Sequence, residues 1–289
     1  MRRLDTLATA IPMSAALLIF SAALSAAAEP KTIFIITDAE GVAGVCRQEQ
    51  TDPKDAEMRQ LLTGEINSAV AGFFDAGATD VFVWDGHDGH QTLSALTIDS
   101  RAHVILGPLP ANMLLERHFS AVAFVGQHAR ADTLGGVMAH SYSSLGIQKL
   151  LMNGEPVGEI ETRTALAGWF DTPVIFLSGD GAAAEQLKKI VPDAETAVVK
   201  EGIDNYSCVS LSAEASRQLI RKHATAAMAK IGRIQPYRIK GPVTIQIEYT
   251  SRHALTPDAA LKAGAEVIDA RTIRFQGKDF LEAWQRALP

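Results

Sequence analysis

Three stretches of this chain place metal-ligating side chains directly after apolar runs of strand length. Thr-Ile-Phe-Ile-Ile-Thr (32–37) is followed by Asp38 and Glu40, Asp-Val-Phe-Val-Trp-Asp (80–85) by His87, and the run 121–126 by Gln127 and His128. Side chains two apart on an extended chain point the same way, so Asp38 and Glu40 are expected to share one target beyond the strand end. Carboxylates held there need neutralising, and a divalent cation does so. Any one of these segments alone is matched by an ordinary capped turn, where Asp and Gly are common. Three strands delivering carboxylate or imidazole to one edge is a different matter. A mixed Asp, Glu and His set suits zinc, manganese or iron better than calcium, which prefers oxygen alone. A two-metal hydrolytic centre is built from a bridging carboxylate with terminal ligands on either side.

Open α/β sheets bind ligands beyond the carboxyl ends of their strands, so these residues call for parallel strands joined by helices. Residues 55–76 carry Met58, Leu61, Leu62, Ile66, Val70 and Phe73 at helical spacing, which predicts an amphipathic helix stopped by Gly77. Strand, helix, strand reads as a parallel βαβ unit. Further strands are predicted at 103–106, 121–126, 173–177, 196–199, 243–249 and 272–275, with helices at about 110–116, 159–169, 181–190, 212–231, 257–264 and from Lys278. Asn153-Gly154 between apolar alternations predicts a tight hairpin. The pattern predicts an α/β fold: a parallel-sheet, three-layer metal-binding domain over 29–210, with a second, smaller α+β unit over 211–289 that need not be continuous.

The start of the chain reads as an address rather than as fold. Arg2 and Arg3 precede an apolar stretch near 11–24 that ends in Ser25-Ala26-Ala27-Ala28, the pattern of a secretory signal peptide cut before Glu29. Its apolar part is shorter than the ~20 residues of a spanning helix. The expected product is exported, periplasmic or secreted, with no membrane contact after cleavage. A formal net charge of −6 with no basic run argues against nucleic acid as a partner. Cys46 and Cys208 are the two cysteines, too few for a disulfide scaffold, and sequence leaves their pairing open.

Thr-Asp-Ala-Glu-Gly (37–41), Asp-Gly-His (85–87), Gly-Gln-His-Ala-Arg-Ala (126–131), Gly-Val-Met-Ala-His-Ser (136–141) and Asn-Gly-Glu-Pro-Val-Gly-Glu (153–159) occur in order. Together these blocks resemble the zinc-dependent D-aminopeptidases associated with dipeptide transport, the DppA type, and the resemblance covers nearly all of 29–289. It implies two zinc ions per chain, with manganese, cobalt or iron as substitutes. It implies Asp38 as the bridging carboxylate, with Glu40, His87, His128 and Glu159 as the other ligands. It implies His140 as the catalytic histidine, close to the metals without binding them. It also implies a ring-shaped homo-oligomer, a decamer of two stacked pentamers.

The expected function is therefore that of an exported metallo-aminopeptidase cleaving the N-terminal residue from short peptides that contain D-amino acids. The alternatives are another dinuclear metallohydrolase, an amidase or phosphoesterase, and a non-catalytic periplasmic binding protein. Asp88 and His90 read as loop residues near the site, Arg130 as a carboxylate partner or salt bridge, and Glu161 as a neighbour of the ligand Glu159. Against the family pattern the chain has one extra residue between His128 and His140, at Gly135-Gly136. It also has Gln127 where an aromatic is expected, and a shortened last helix.

Overall fold

In the computed structural model, which describes residues 29–250 and 264–287, Ile33, Phe34, Ile35 and Ile36 are all fully buried. Four consecutive apolar residues can be buried on both faces only in the middle of a covered parallel sheet. They belong to β1 (Thr32–Thr37); α1 (Ala56–Asp75), β2 (Asp80–Trp84), β3 (His103–Ile105) and β4 (Ala121–Gln127) follow. Next come β5 (Ile147–Met152), β6 (Glu155–Pro156), α2 (Glu159–Trp169), β7 (Val174–Asp180), α3 (Gly181–Ile190), β8 (Glu195–Asp204) and β9 (Ser207–Ser210). The chain continues through α4 (Ala213–Ala227), β10 (Val243–Tyr249), β11 (Glu266–Val267), β12 (Thr272–Gly277) and α5 (Phe280–Ala287).

The larger sheet has the order β3-β2-β1-β4-β7-β8-β9, parallel except for β9, which runs back along β8. The fold is α/β. From β1 the chain crosses through α1 to β2 on one side, whereas from β7 it crosses through α3 to β8 on the other. Right-handed crossovers in opposite directions put α1 and α3 on opposite faces. The direction of winding therefore switches between β1 and β4, and such a switch opens a crevice at the carboxyl ends of the two strands. Asp38 and His128 are the residues immediately after those ends.

The smaller sheet, β11-β12-β10-β5-β6, draws on two separate stretches of chain. Its hairpin turns at Asn153 (φ 53°) and Gly154 (φ 87°), the paired left-handed conformation that Asn-Gly supplies. α4 packs on α1 beside the larger sheet, while α5 packs on β10 and β12. The layers thus do not divide at residue 210.

Two expectations are corrected. The helix expected at about 110–116 is a series of turns with one 3-10 turn at Leu115–Arg117, because Met113 and Leu114 take φ values of 51° and 59°. The strand expected at 196–199 runs on to Asp204 and returns as β9; its outer half is exposed and lacks the apolar alternation that marks a half-buried strand. The helix expected at 257–264 and the signal segment lie outside the described residues. No described helix is long and apolar enough to cross a membrane.

Candidate metal centre

β1 ends at Thr37, and the chain then turns, with Val42 N–H donating to the Ala39 carbonyl at 3.1 Å. Asp38 and Glu40 therefore converge through a turn, not through continued pleating. The turn is locked against the end of β4: Asp38 N–H donates to Val125 O (2.9 Å) and Gly41 N–H to Gly126 O (2.8 Å). Neither glycine can carry a side chain. A Cβ on Gly126, whose φ is 79°, would overlap the Asp38 carbonyl, and one on Gly41 would overlap that of Gln127. From β8 the buried Lys200 ammonium donates to the carbonyls of Glu40, Val42 (3.1 Å) and Val45. A short loop with buried carbonyls is thereby satisfied and held still.

Asp38 lies between two imidazoles. Its Oδ1 is 3.1 Å from His87 Nδ1, and its Oδ2 is 3.5 Å from His128 Nε2. Glu40 Oε2 is 3.3 Å from the same His87 nitrogen, and Glu159 Oε1 is 3.8 Å from the same His128 nitrogen. Asp38, Glu40 and His87 form one cluster able to hold a metal ion, and His128, His140 and Glu159 a second. His128 and His140 stack with ring centroids 4.0 Å apart. A cavity of about 400 Å³ opens onto Asp38, Glu40, His87, His140, Glu159 and Arg163.

The outward hydrogen bonds of the imidazoles fix which nitrogen faces inward. His87 Nε2 is 2.7 Å from Thr51 O, His128 Nδ1 2.9 Å from Ala129 O, and His140 Nδ1 2.8 Å from Met138 O. A carbonyl can only accept, so those nitrogens carry the hydrogens. The unprotonated nitrogens of neutral His87 and His128 then point at carboxylate oxygens, which is repulsive unless a cation sits between. Metal-binding histidines are oriented by backbone carbonyls in this way.

The titration behaviour shows the same demand for positive charge. Burial alone would lower the His87 pKa, but the hydrogen bond to Asp38 and the adjacent Asp38 and Glu40 carboxylates outweigh it and raise it to about 11. His128 rises against its burial to about 9, through the charges of Glu159, Asp38 and Glu40. Asp38 is pushed up, first by burial and then by Glu40. Burial also opposes ionisation of Glu40, yet the adjacent His87 holds it well below the usual carboxylate range. Glu40 Oε2, His128 Nε2 and Glu159 Oε2 are buried without a hydrogen-bond partner among the described residues. Orphaned atoms of this kind, on Glu and His, fit zinc.

Each sequence candidate can now be placed. Asp38, Glu40, His87, His128, His140 and Glu159 come together. Asp85 does not join them; its Oδ2 accepts from Thr92 and Leu93 N–H and closes the loop after β2. His90 bonds the Asp85 carbonyl through Nδ1 and stacks on Trp84, and Asp88 lies at the cavity mouth. Arg130 is an ion-pair partner of Glu161 at 3.0 Å, and Glu161 accepts from Gly158 N–H at the start of α2. That helix start also delivers Glu159, whose Oε1 accepts from Tyr142 N–H at 2.6 Å.

The loop between His128 and His140 keeps its return path fixed. Val137 N–H donates to Asp180 Oδ2 (3.1 Å) and Met138 N–H to Asn205 O (2.8 Å). Gln127 has a role that its residue type did not signal: Nε2 donates to Asp38 Oδ2 at 2.9 Å. Cys46 and Cys208 are free thiols, both half-buried.

Comparison with known proteins agrees with this geometry. The family model Peptidase_M55, described as D-aminopeptidase, matches residues 32–288. A D-aminopeptidase of Bacillus subtilis (strain 168) is 32% identical over 264 residues, covering 89% of this chain and 95% of that protein. Among solved structures, the Zn-dependent D-aminopeptidase DppA from Bacillus subtilis, described as a self-compartmentalizing protease, matches with a TM-score of 0.81. It is 29% identical, over 89% of this chain and 95% of that one.

Proposed function

The chain belongs to the D-aminopeptidase family of metallopeptidases, and on that premise we propose that it is an exported dinuclear zinc aminopeptidase acting on short peptides with a D-residue at the N-terminus. The observation that carries the dinuclear reading is Asp38, whose two oxygens face two different imidazoles. Asp38, Glu40 and His87 would hold one ion, and Asp38, His128 and Glu159 the other. Bound zinc supplies Lewis acidity toward a scissile carbonyl and lowers the pKa of water.

The chain's own residues supply the rest. Gln127 and the turn at Ala39–Val42 hold Asp38 in place, and the Thr51 and Ala129 carbonyls keep His87 and His128 in the tautomers that face inward. His140 presents Nε2 at the cavity wall as an acceptor, or as a donor once protonated. From there it can take a proton from water or give one to the leaving amine.

Zinc content and stereochemistry test this directly. Protein purified without chelators should carry about two transition-metal ions per chain and cleave D-Ala-D-Ala and D-Ala-Gly-Gly in preference to their L counterparts. One ion per chain overturns the dinuclear assignment, and preference for the L series overturns the D assignment. Turnover of only non-peptide esters or amides would favour a different hydrolase on the same ligands.

Self-association is part of the proposal. The β8–β9 hairpin exposes Ile203, Tyr206 and Val209, and Leu134 stands almost fully exposed on the loop whose Gly135 carbonyl lies against Gly202. An apolar patch of this kind marks an interaction surface, and the related Bacillus structure is described as self-compartmentalizing. The mass of the native protein from the exported fraction reads assembly and export together. A multiple of a chain beginning at Glu29 is expected; a monomer, or a chain that retains Met1, defeats the corresponding half.

A further inference from the structure

Arg163 is a buried cation without an anion. It lies on α2 four residues after Glu159, hence on the same helix face, and is only 7% exposed. Its Nη1 is buried with no hydrogen-bond partner among the described residues, and no described carboxylate lies within ion-pair distance of it. The guanidinium is held instead by two aromatic rings, 5.7 Å from the centroid of Trp84 and 5.6 Å from that of Tyr142. Both rings are anchored, Trp84 Nε1 donating to Gly107 O at 3.1 Å and the Tyr142 hydroxyl bonding Thr162 Oγ1 at 2.6 Å. Cation–π contacts fix the plane of an arginine while leaving its N–H donors free. Arg163 lines the same cavity as Asp38, Glu40, His140 and Glu159.

The nearby carboxylates do not explain this arginine. Asp38, Glu40 and Glu159 are the residues that would take metal ions, and two divalent cations more than offset their three charges. A desolvated guanidinium beside a neutralised cluster lacks a counter-charge, which an anion arriving from solvent supplies. The guanidinium fork matches a carboxylate in bidentate geometry. Four residues of helix separate Glu159 from Arg163 by about 6 Å along the axis. A dipeptide places its terminal carboxylate within about 4 Å of its scissile carbonyl, since successive Cα atoms are about 3.8 Å apart, and a hydrogen bond to the guanidinium spans about 3 Å more.

We propose that Arg163 binds the C-terminal carboxylate of a dipeptide substrate, giving the site a preference for a free C-terminus over a blocked one. This rests on the aminopeptidase reading above. Arg163 is a specificity residue in the binding half of the site, with metal and His140 in the reacting half.

The test compares D-Ala-D-Ala with its C-terminal amide on zinc-loaded wild type, Arg163→Met and Arg163→Lys. Zinc content and thermal midpoint are checked first to show that each variant is folded and loaded. Wild type is expected to favour the free acid about 10- to 100-fold in kcat/KM, the worth of a charge-assisted pair. Arg163→Met should lose that preference through a raised KM for the acid, and Arg163→Lys should regain part of it. Equal use of acid and amide by wild type overturns the proposal, as does an equal fall on both substrates in Arg163→Met.

A binding measurement separates this idea from the reaction itself. Calorimetry with a non-hydrolysable reduced-amide dipeptide, as acid and as carboxamide, should show the same selectivity in wild type and its loss in Arg163→Met. Acid-selective binding without any peptide turnover would sink the aminopeptidase reading and leave the carboxylate site standing. Turnover without acid selectivity in either measurement would do the reverse.

Discussion

Asp38→Ala will bind neither metal ion, and with them it will lose turnover by about 10³-fold or more. A metal contributes several kcal/mol of charge stabilisation, and each 1.36 kcal/mol is tenfold in rate. The expectation that one substitution empties two positions comes from the geometry. Asp38 Oδ1 and Oδ2 face His87 and His128 respectively, so removal leaves each imidazole with one carboxylate, Glu40 or Glu159. Two protein ligands fall below the three that a catalytic zinc site keeps. Neighbouring substitutions should act on one position only: Glu40→Gln on the ion beside His87, Glu159→Gln on the ion beside His128.

Metal analysis after gel filtration reads this difference as two, one or none. Thermal unfolding gives a second readout. Zinc at 100 times its Kd stabilises the protein that binds it by about 2.7 kcal/mol, a rise of roughly 5–10 °C for a chain of this size. Asp38→Ala should show no such rise. Asp38→Asn separates charge from shape, since it keeps the volume and the Gln127 contact while removing the second anionic oxygen. If Asp38→Asn retained two ions and full turnover, Asp38 would not be the bridge.

The sequence carried the site further than it carried the reasons for it. Ligand types were readable because they follow apolar runs, and a run such as Ile33 to Ile36 has few places to go except a central parallel strand. The convergence of Asp38 and Glu40 was expected from strand alternation, yet it arises from a turn pressed against the end of β4, where only glycine fits at 41 and 126. That depends on a neighbour almost ninety positions away, and no local pattern encodes it. Lys200 was unreadable for the same reason: its three carbonyl partners lie at 40, 42 and 45. Gln127 stood out as a departure from the family pattern but not as the donor to Asp38. Arg163 passed as one more charged residue on a helix. The family resemblance supplied Glu159 and His140, which residue types alone did not distinguish from Glu161 and His90. In the structure Glu161 is paired with Arg130 and the Gly158 N–H, and His90 stacks on Trp84 and joins neither cluster.

His140→Ala will keep both metal ions and lose turnover by about 10²- to 10⁴-fold, the usual worth of a positioned general acid or base. His140 is close enough to His128 and Glu159 to be a ligand on distance alone, so the metal count decides between two roles. Stacking favours the catalytic one. Its ring lies nearly parallel to that of His128, 12° between planes, and the in-plane lone pairs of two stacked imidazoles lie in separate parallel planes and do not meet at one shared point. The Met138 carbonyl holds the hydrogen on Nδ1 and leaves Nε2 to the cavity, where a reacting proton would be exchanged. Met138 is itself pinned by Asn205, so the tautomer and the ring position are set by one short segment. His140→Gln should recover little, because an amide can hydrogen-bond but cannot carry a proton through the reaction. A His140→Ala protein that retained two zinc ions and full kcat would remove His140 from the mechanism. One that fell to a single ion would make it a ligand. Loss of kcat at constant zinc content, with little change in KM, is the result that this geometry requires.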